Sequence, residues 1–307
     1  MNSRPIRFAC AGAPLIGMLH PGAETADMGV LIMVAGGPQY RIGGHRQLVL
    51  WSRAMSAAGF PVFRFDSRGM GDSYGDYPDF EAVEPDIRAA LDRFFEEVPT
   101  LKEVVLWGEC NACSAALFFA HKDPRVKGIA MLNPWVRTEG GAAKTVIKHY
   151  YLQRLMERSF WSKVARFEFD LVGSVRSAAR LFKLARRAPA DRAGTPADGD
   201  PGGLSLPDRM LHGLSRFQGK ILLIMSGRDL VPKEFDEVVK SSPAWQRELA
   251  AHGVVRHDLI YADHTFSTSE WRDQVIAWGI DWLQDIRDTT GGVPSAARQT
   301  RNAVDKG

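Results

Sequence analysis

The chain has 307 residues, 45% hydrophobic and 24% charged, with 29 glycines, 17 prolines and a net charge of +3. Those proportions exclude a fibrous or largely disordered chain, and so small a net charge makes no case for nucleic acid as a partner. No apolar run approaches the roughly 20 residues of a membrane helix; with no signal-peptide core near the start and three cysteines, too few for a disulfide framework, a cytoplasmic setting is expected.

Strand-like runs occupy residues 5–9, 15–19, 29–34, 61–65, 103–107 and 127–132. Helical patterns fill residues 45–58, 80–97 and 112–122 between them. Such alternation predicts an α/β fold with a mainly parallel sheet covered by helices on both faces. The first two runs, joined by Ala11-Gly12, read as an antiparallel edge. From Pro134 the alternation stops. Residues 142–158 and 170–187 read as helices, the second capped by Asp170 and carrying Leu171, Val175, Ala178 and Phe182 on one face. Residues 188–206 read as a Pro- and Gly-rich loop. Residues 137–192 hold 13 Lys/Arg against 5 Asp/Glu, an excess of +8 that sets the insertion apart. Strand–helix order returns with strands at 220–225 and 254–261 and a helix at 268–287. The expected organisation is a core of residues 1–134 and 215–287, a basic helical cap at 135–214, and a disordered tail at 288–307.

Chemistry concentrates where strands end. Gly108-Glu109-Cys110-Asn111-Ala112 has the form small-x-nucleophile-x-small of a nucleophile elbow, between a strand and a helix. Small flanks are required because the turn brings neighbouring backbones together. The helix start behind Cys110 supplies N–H groups and a positive dipole end, both favourable to a thiolate. Downstream, Ser226-Gly227-Arg228-Asp229 and Ala262-Asp263-His264-Thr265 each follow a strand, giving the order nucleophile, acid, histidine. Asp263 is a rival acid, but it would point away from its own neighbour's ring. The run Asp66-Ser67-Arg68-Gly69-Met70-Gly71-Asp72-Ser73 reads as a structural turn.

With these motifs the chain resembles the α/β-hydrolases over about residues 5–287. Gly36-Gly37-Pro38-Gln39-Tyr40-Arg41, the Asp66–Ser73 run, the cysteine elbow, Asn133-Pro134-Trp135-Val136-Arg137 and His149-Tyr150-Tyr151-Leu152 narrow the likeness to the exosortase A system-associated hydrolases. That resemblance implies an α/β-hydrolase fold with a helical cap and a link to exopolysaccharide, without naming a substrate. The roles it implies are Cys110 as nucleophile, His264 as base, Asp229 as orienting acid, and the backbone N–H groups of Gly37 and Asn111 as an oxyanion hole. The expected activity is hydrolysis of an ester or thioester through an acyl-cysteine, with no cofactor and no metal. Cysteine replaces the usual serine, Ala112 the usual glycine, and the oxyanion loop reads Ala-Gly-Gly instead of His-Gly.

Competing readings stay open at this level. The same residues would serve an acyltransferase, and a silent binding module would use the same pocket. Cys110-Asn111-Ala112-Cys113 opening a helix also has the form of a redox motif, and it leaves room for a regulatory Cys110–Cys113 bond. Glu109 either tunes the thiol or is a solvated elbow side chain. The expected partner is a small or carrier-bound acyl substrate, anionic if the basic cap receives it. Arg176, Arg180, Lys183, Arg186 and Arg187 flank the cap's apolar stripe, a pattern that also suits peripheral membrane contact.

Overall fold

The computed structural model describes residues 3–34, 39–136 and 203–290. The two helices expected in the insertion, most of its loop, Gly37 and tail residues 291–307 lie outside the described residues. Among the described residues eight strands form one sheet: β1 (Arg4–Cys10), β2 (Ala13–His20), β3 (Met28–Ile32), β4 (Val62–Phe65), β5 (Glu103–Glu109), β6 (Val126–Leu132), β7 (Lys220–Ser226) and β8 (Val255–Leu259). Their spatial order is β1-β2-β4-β3-β5-β6-β7-β8. β2 pairs antiparallel with β1 and β4, and the pairs from β4 to β8 are parallel. The Ala11-Gly12 turn that reverses the chain has φ of 48° and 81°. Two successive positive φ values match the twist of a two-residue hairpin.

Central strands are buried along nearly their whole length, as a parallel sheet covered on both faces requires. The side-chain period of two sends alternate residues to opposite cores. Val104, Leu106, Ile129 and Met131 join one core; Val105, Trp107, Ala130 and Leu132 join the other. Helices α2 (Glu84–Glu97), α3 (Asn111–Ala120) and α4 (Leu206–Arg216) cover the first face. Helices α1 (Gln47–Ala57) and α7 (Ser269–Thr290) cover the second. This is the α/β-hydrolase architecture.

Three segments depart from the sequence reading. Residues 206–214, assigned there to the insertion, lie in α4, whose Met210 and Leu214 are buried in the core beside α3. Residues 206–214 therefore pack with the core. Ser205 starts that helix by accepting a hydrogen bond from the Asp208 N–H, with Pro207 in the first turn, so the Pro and Gly signals continue up to its first residues. Helices α5 (Leu230–Ser241) and α6 (Pro243–Ala251) fill a stretch that the sequence reading leaves unassigned. The last helix continues to Thr290, past the boundary expected at 287.

Candidate active site

The C-terminal ends of β5, β6, β7 and β8 converge on one place. Between β5 and α3, Cys110 holds φ 56° and ψ −127°. A non-glycine residue in so sparsely populated a region costs about 1–3 kcal/mol and persists where its surroundings enforce it. Here they do. The Cys110 N–H donates to the Leu132 carbonyl (2.9 Å), and the Cys110 carbonyl accepts from the N–H groups of Cys113 and Trp135. A Cβ at position 108 would stand 2.9 Å from the Ala112 carbonyl, so the turn demands glycine there. Ala112, where glycine is usual, is accommodated at 2% exposure.

His264 lies in the loop after β8 and Asp229 in the turn after β7. Their backbones are tied together: the Gly227 N–H donates to the Leu259 carbonyl (2.9 Å) and the Arg228 N–H to the Ala262 carbonyl (3.1 Å). A Cβ on Gly227 would meet the Ile260 carbonyl at 2.2 Å, which accounts for glycine at the crossing. On that frame the His264 ring Nδ1 sits 2.5 Å from Asp229 Oδ2, and the Cys110 sulfur lies close enough to favour the protonated imidazole. The bond to the Asp229 carboxylate, then the Cys110 sulfur, lifts the His264 pKa to about 10 against the opposing effect of burial. Cys110, His264 and Asp229 thus form one line of electrostatic interaction, anchored by the hydrogen bond between His264 and Asp229. Asp263 does not enter it; its carboxylate accepts from the Ser267 hydroxyl and the Ser267 N–H and closes a local turn.

Cys113 faces the other way. Its Sγ lies 3.3 Å from the Gly108 carbonyl and 3.4 Å from that of Leu132, fully buried, and desolvation holds its pKa well above the ordinary thiol value. All three cysteines are free thiols. Glu109 is also buried, so the alternative of a solvated elbow side chain is excluded.

One contributor to this frame carried no assigned role in the sequence. Asn133, fully buried at the end of β6 with φ 47°, accepts from the Ser226 N–H (2.7 Å) and donates from Nδ2 to the His264 carbonyl (2.8 Å). It thereby ties the strand beside the elbow to both the acid turn and the histidine loop. The Asn-Pro pair at a strand end was the available signal, and it reads equally well as a plain turn.

Beside the first turn of α3 lies an apolar hollow lined by Met33, Phe65, Met70, Val83, Ala112 and Ala115, with Ser67 and Tyr77 at its polar side. Its far wall is the turn after β4, organised by ion pairs. Asp66 accepts from the Arg41 N–H (2.6 Å), the Arg41 guanidinium and the Asp72 N–H (3.1 Å). Arg68 grips buried Asp86 through both carboxylate oxygens. Among the described residues no group of His, Cys, Asp and Glu could hold a metal ion, and no helix is long and apolar enough to cross a membrane.

Residues 46–261 match the family of the S33 serine aminopeptidases. The chain belongs to this family of α/β-hydrolases. It is therefore a hydrolase by family. A search of curated protein sequences gives no match. Among solved structures, the esterase Pf2001 of Pyrococcus furiosus is similar over 93% of this chain and 91% of its own, with a TM-score of 0.59 and 15% identity. The esterase domain of a Rhodothermus marinus protein gives a TM-score of 0.55 at 16% identity, covering 93% of this chain and 99% of that one. Proline iminopeptidase of Mycobacterium smegmatis gives 0.54 at 13%, covering 94% and 100%. Identities this low speak to the fold alone. Although the S33 family is named for serine, this member carries Cys110 at the elbow. Its nearest serine, Ser114, is fully buried a turn later and donates to the Trp135 carbonyl (2.8 Å).

Proposed function

We propose that this S33 hydrolase cleaves carboxylic esters or thioesters through an acyl-cysteine on Cys110, with His264 and Asp229 completing a triad. One observation carries the reading: the elbow cysteine, in its strained conformation, acts on a histidine whose Nδ1 is held by Asp229. Sγ attacks the acyl carbon, and the resulting oxyanion lies at the start of α3, where the Asn111 N–H would receive it; the resemblance adds that of Gly37. One such donor is worth roughly 3–4 kcal/mol of barrier. The bond to the alcohol or thiol then breaks, and the leaving group takes the proton from the His264 imidazolium. In the second half, neutral His264 removes a proton from water, hydroxide adds to the acyl carbon, and the C–S bond breaks as sulfur recovers the proton. Asp229 holds the imidazole by Nδ1 throughout.

The apolar hollow beside Ala112 and Ala115 suits the acyl chain. The resemblance to exosortase A system-associated hydrolases points to a cytoplasmic substrate of the exopolysaccharide system, and the basic insertion favours an acyl group on an anionic carrier. Acyl transfer by the same residues is distinguished by offering amine and alcohol acceptors. The test is a panel of p-nitrophenyl esters and acyl thioesters, with intact-protein mass spectrometry during turnover. An adduct of acyl mass on Cys110 is expected. Turnover with no adduct, and full activity in Cys110→Ala, would overturn the reading. A salt dependence of kcat/KM for anionic thioesters alone, as screening shortens to about 8 Å, is the expected mark of the carrier.

A further inference from the structure

Glu109 is the last residue of β5 and the chain neighbour of Cys110, yet its carboxyl is buried. Oε2 accepts a hydrogen bond from Gln47 Nε2 (2.5 Å), from the first residue of α1. The other two oxygens of this pair, Glu109 Oε1 and Gln47 Oε1, are both fully buried and meet no donor. Buried polar atoms are almost always paired, so two orphans in one bonded pair call for an explanation. Both are acceptors. A single proton on Glu109 Oε1 turns that oxygen into a donor and offers Gln47 Oε1 its missing partner, closing an acid–amide pair with one bond in each direction. The charged and titratable groups that act on this carboxyl are His264 and Asp263 in the loop after β8 and Asp229 in the turn after β7. Glu109 acts in turn on the Cys113 thiol of α3.

We propose that Glu109, held by Gln47, is a positioning residue for His264: neutral and closed on Gln47 when protonated, a second carboxylate of the imidazolium when ionised. The inference rests on the reading of Cys110 and His264 given above. Burial pushes the Glu109 pKa up to about 7, with Asp229 and Asp263 adding to the rise, while His264 and the Gln47 amide oppose it. The proton therefore leaves near neutral pH. Below that point His264 has one carboxylate; above it, two. The second makes the imidazolium harder to deprotonate and extends the pH range over which the Cys110–His264 pair keeps its proton.

The test follows the His264 imidazole by NMR across pH 5–10 in the full chain and in Glu109→Gln, a neutral isostere of the protonated acid. In the wild type the His264 signals should shift near pH 7, reporting the neighbour's ionisation, and titrate themselves only at alkaline pH. In Glu109→Gln the first inflection should vanish and His264 should lose its proton at lower pH. Iodoacetamide alkylation of Cys110 should bend near pH 7 in the wild type and not in the variant, the two rates diverging by about threefold to tenfold above it. Infrared difference spectra of the wild type should show a protonated-carboxyl band that disappears over the same range, so the inference does not depend on the variant folding. Superimposable His264 titrations in the two proteins, or no such band at pH 5, would overturn it. If Cys110 proves inert while the titrations behave as described, the nucleophile assignment fails and the role of Glu109 toward His264 stands.

Discussion

Two buried acids stand at the ends of strands β4 and β5, on either side of β3 in the sheet, and they are treated in opposite ways. Asp66, after β4, is fully buried and saturated: the Arg41 backbone and guanidinium and the Asp72 N–H all donate to it. Burial raises its pKa, and every one of those donors pulls back toward the charged form. Glu109, at the end of β5, receives one bond from a neutral amide and keeps an unpartnered oxygen. The first arrangement pairs the carboxylate on every side and makes a wall. The second leaves a proton free to come and go beside the imidazole. Buried charge is tolerated when it is paired; where pairing is withheld next to the elbow cysteine, the economical explanation is chemical use.

The largest effect should come from the line itself. Asp229→Asn should lower kcat by about 10⁴ with the protein still folded, since an orphaned imidazole adopts the wrong tautomer. Asn is the informative replacement because Asp229 Oδ1 also caps α5 at Val231 N–H, and asparagine caps as well. Asp263→Asn should leave steady-state turnover nearly intact; the reverse pattern would reassign the acid. On the structural side, Asp66→Asn should cost about 1–3 kcal/mol in urea unfolding, because buried Arg41 loses one of its two carboxylate partners and keeps only Asp72. A loss below 1 kcal/mol would mean that the wall does not depend on that charge. Asn133→Asp keeps the acceptor for the Ser226 N–H but replaces the donor to the His264 carbonyl by an oxygen. A destabilisation of about 1–3 kcal/mol is expected, with a parallel fall in kcat.

The smallest effect is on stability against pH. Glu109 has a folded pKa of about 7, above its ordinary 4.5, so the native state binds the extra proton and stability declines as pH rises between those values. His264 has its folded pKa raised from 6.5 to about 10, so its contribution is complete below 6.5 and fades as pH climbs through 10. Thermal unfolding should therefore show a falling midpoint from pH 5 to pH 9, and Glu109→Gln should flatten only the acid part of that slope.

Much of this arrangement was legible in the sequence because it is written in short range. A period of two with apolar runs gave the sheet, and residues 108–112, 226–229 and 262–265 each announce a turn at a strand end. Chain order alone related Cys110, Asp229 and His264. What stayed hidden needs three dimensions. No local pattern distinguishes an elbow glutamate that is solvated from one closed over by α1, and Gln47 lies 62 residues away from it. Asn133 looks like the start of a turn until the β7 and β8 loops are placed against it. Helix α4 was masked by the Pro and Gly signals running up to its cap, although its buried face, Met210 and Leu214, has the right helical spacing.

The central claim is that the sulfur of Cys110 is the nucleophile of an S33 hydrolase whose family is named for serine. Its most direct test is to quench the enzyme with acid milliseconds after mixing with a p-nitrophenyl ester and to map the acyl group by peptide mass spectrometry. A transient adduct on the peptide containing Cys110, formed at the rate of the p-nitrophenol burst and absent in Cys110→Ala, is the predicted result. An adduct on Ser114 or another residue, or a burst that survives in Cys110→Ala, would contradict it.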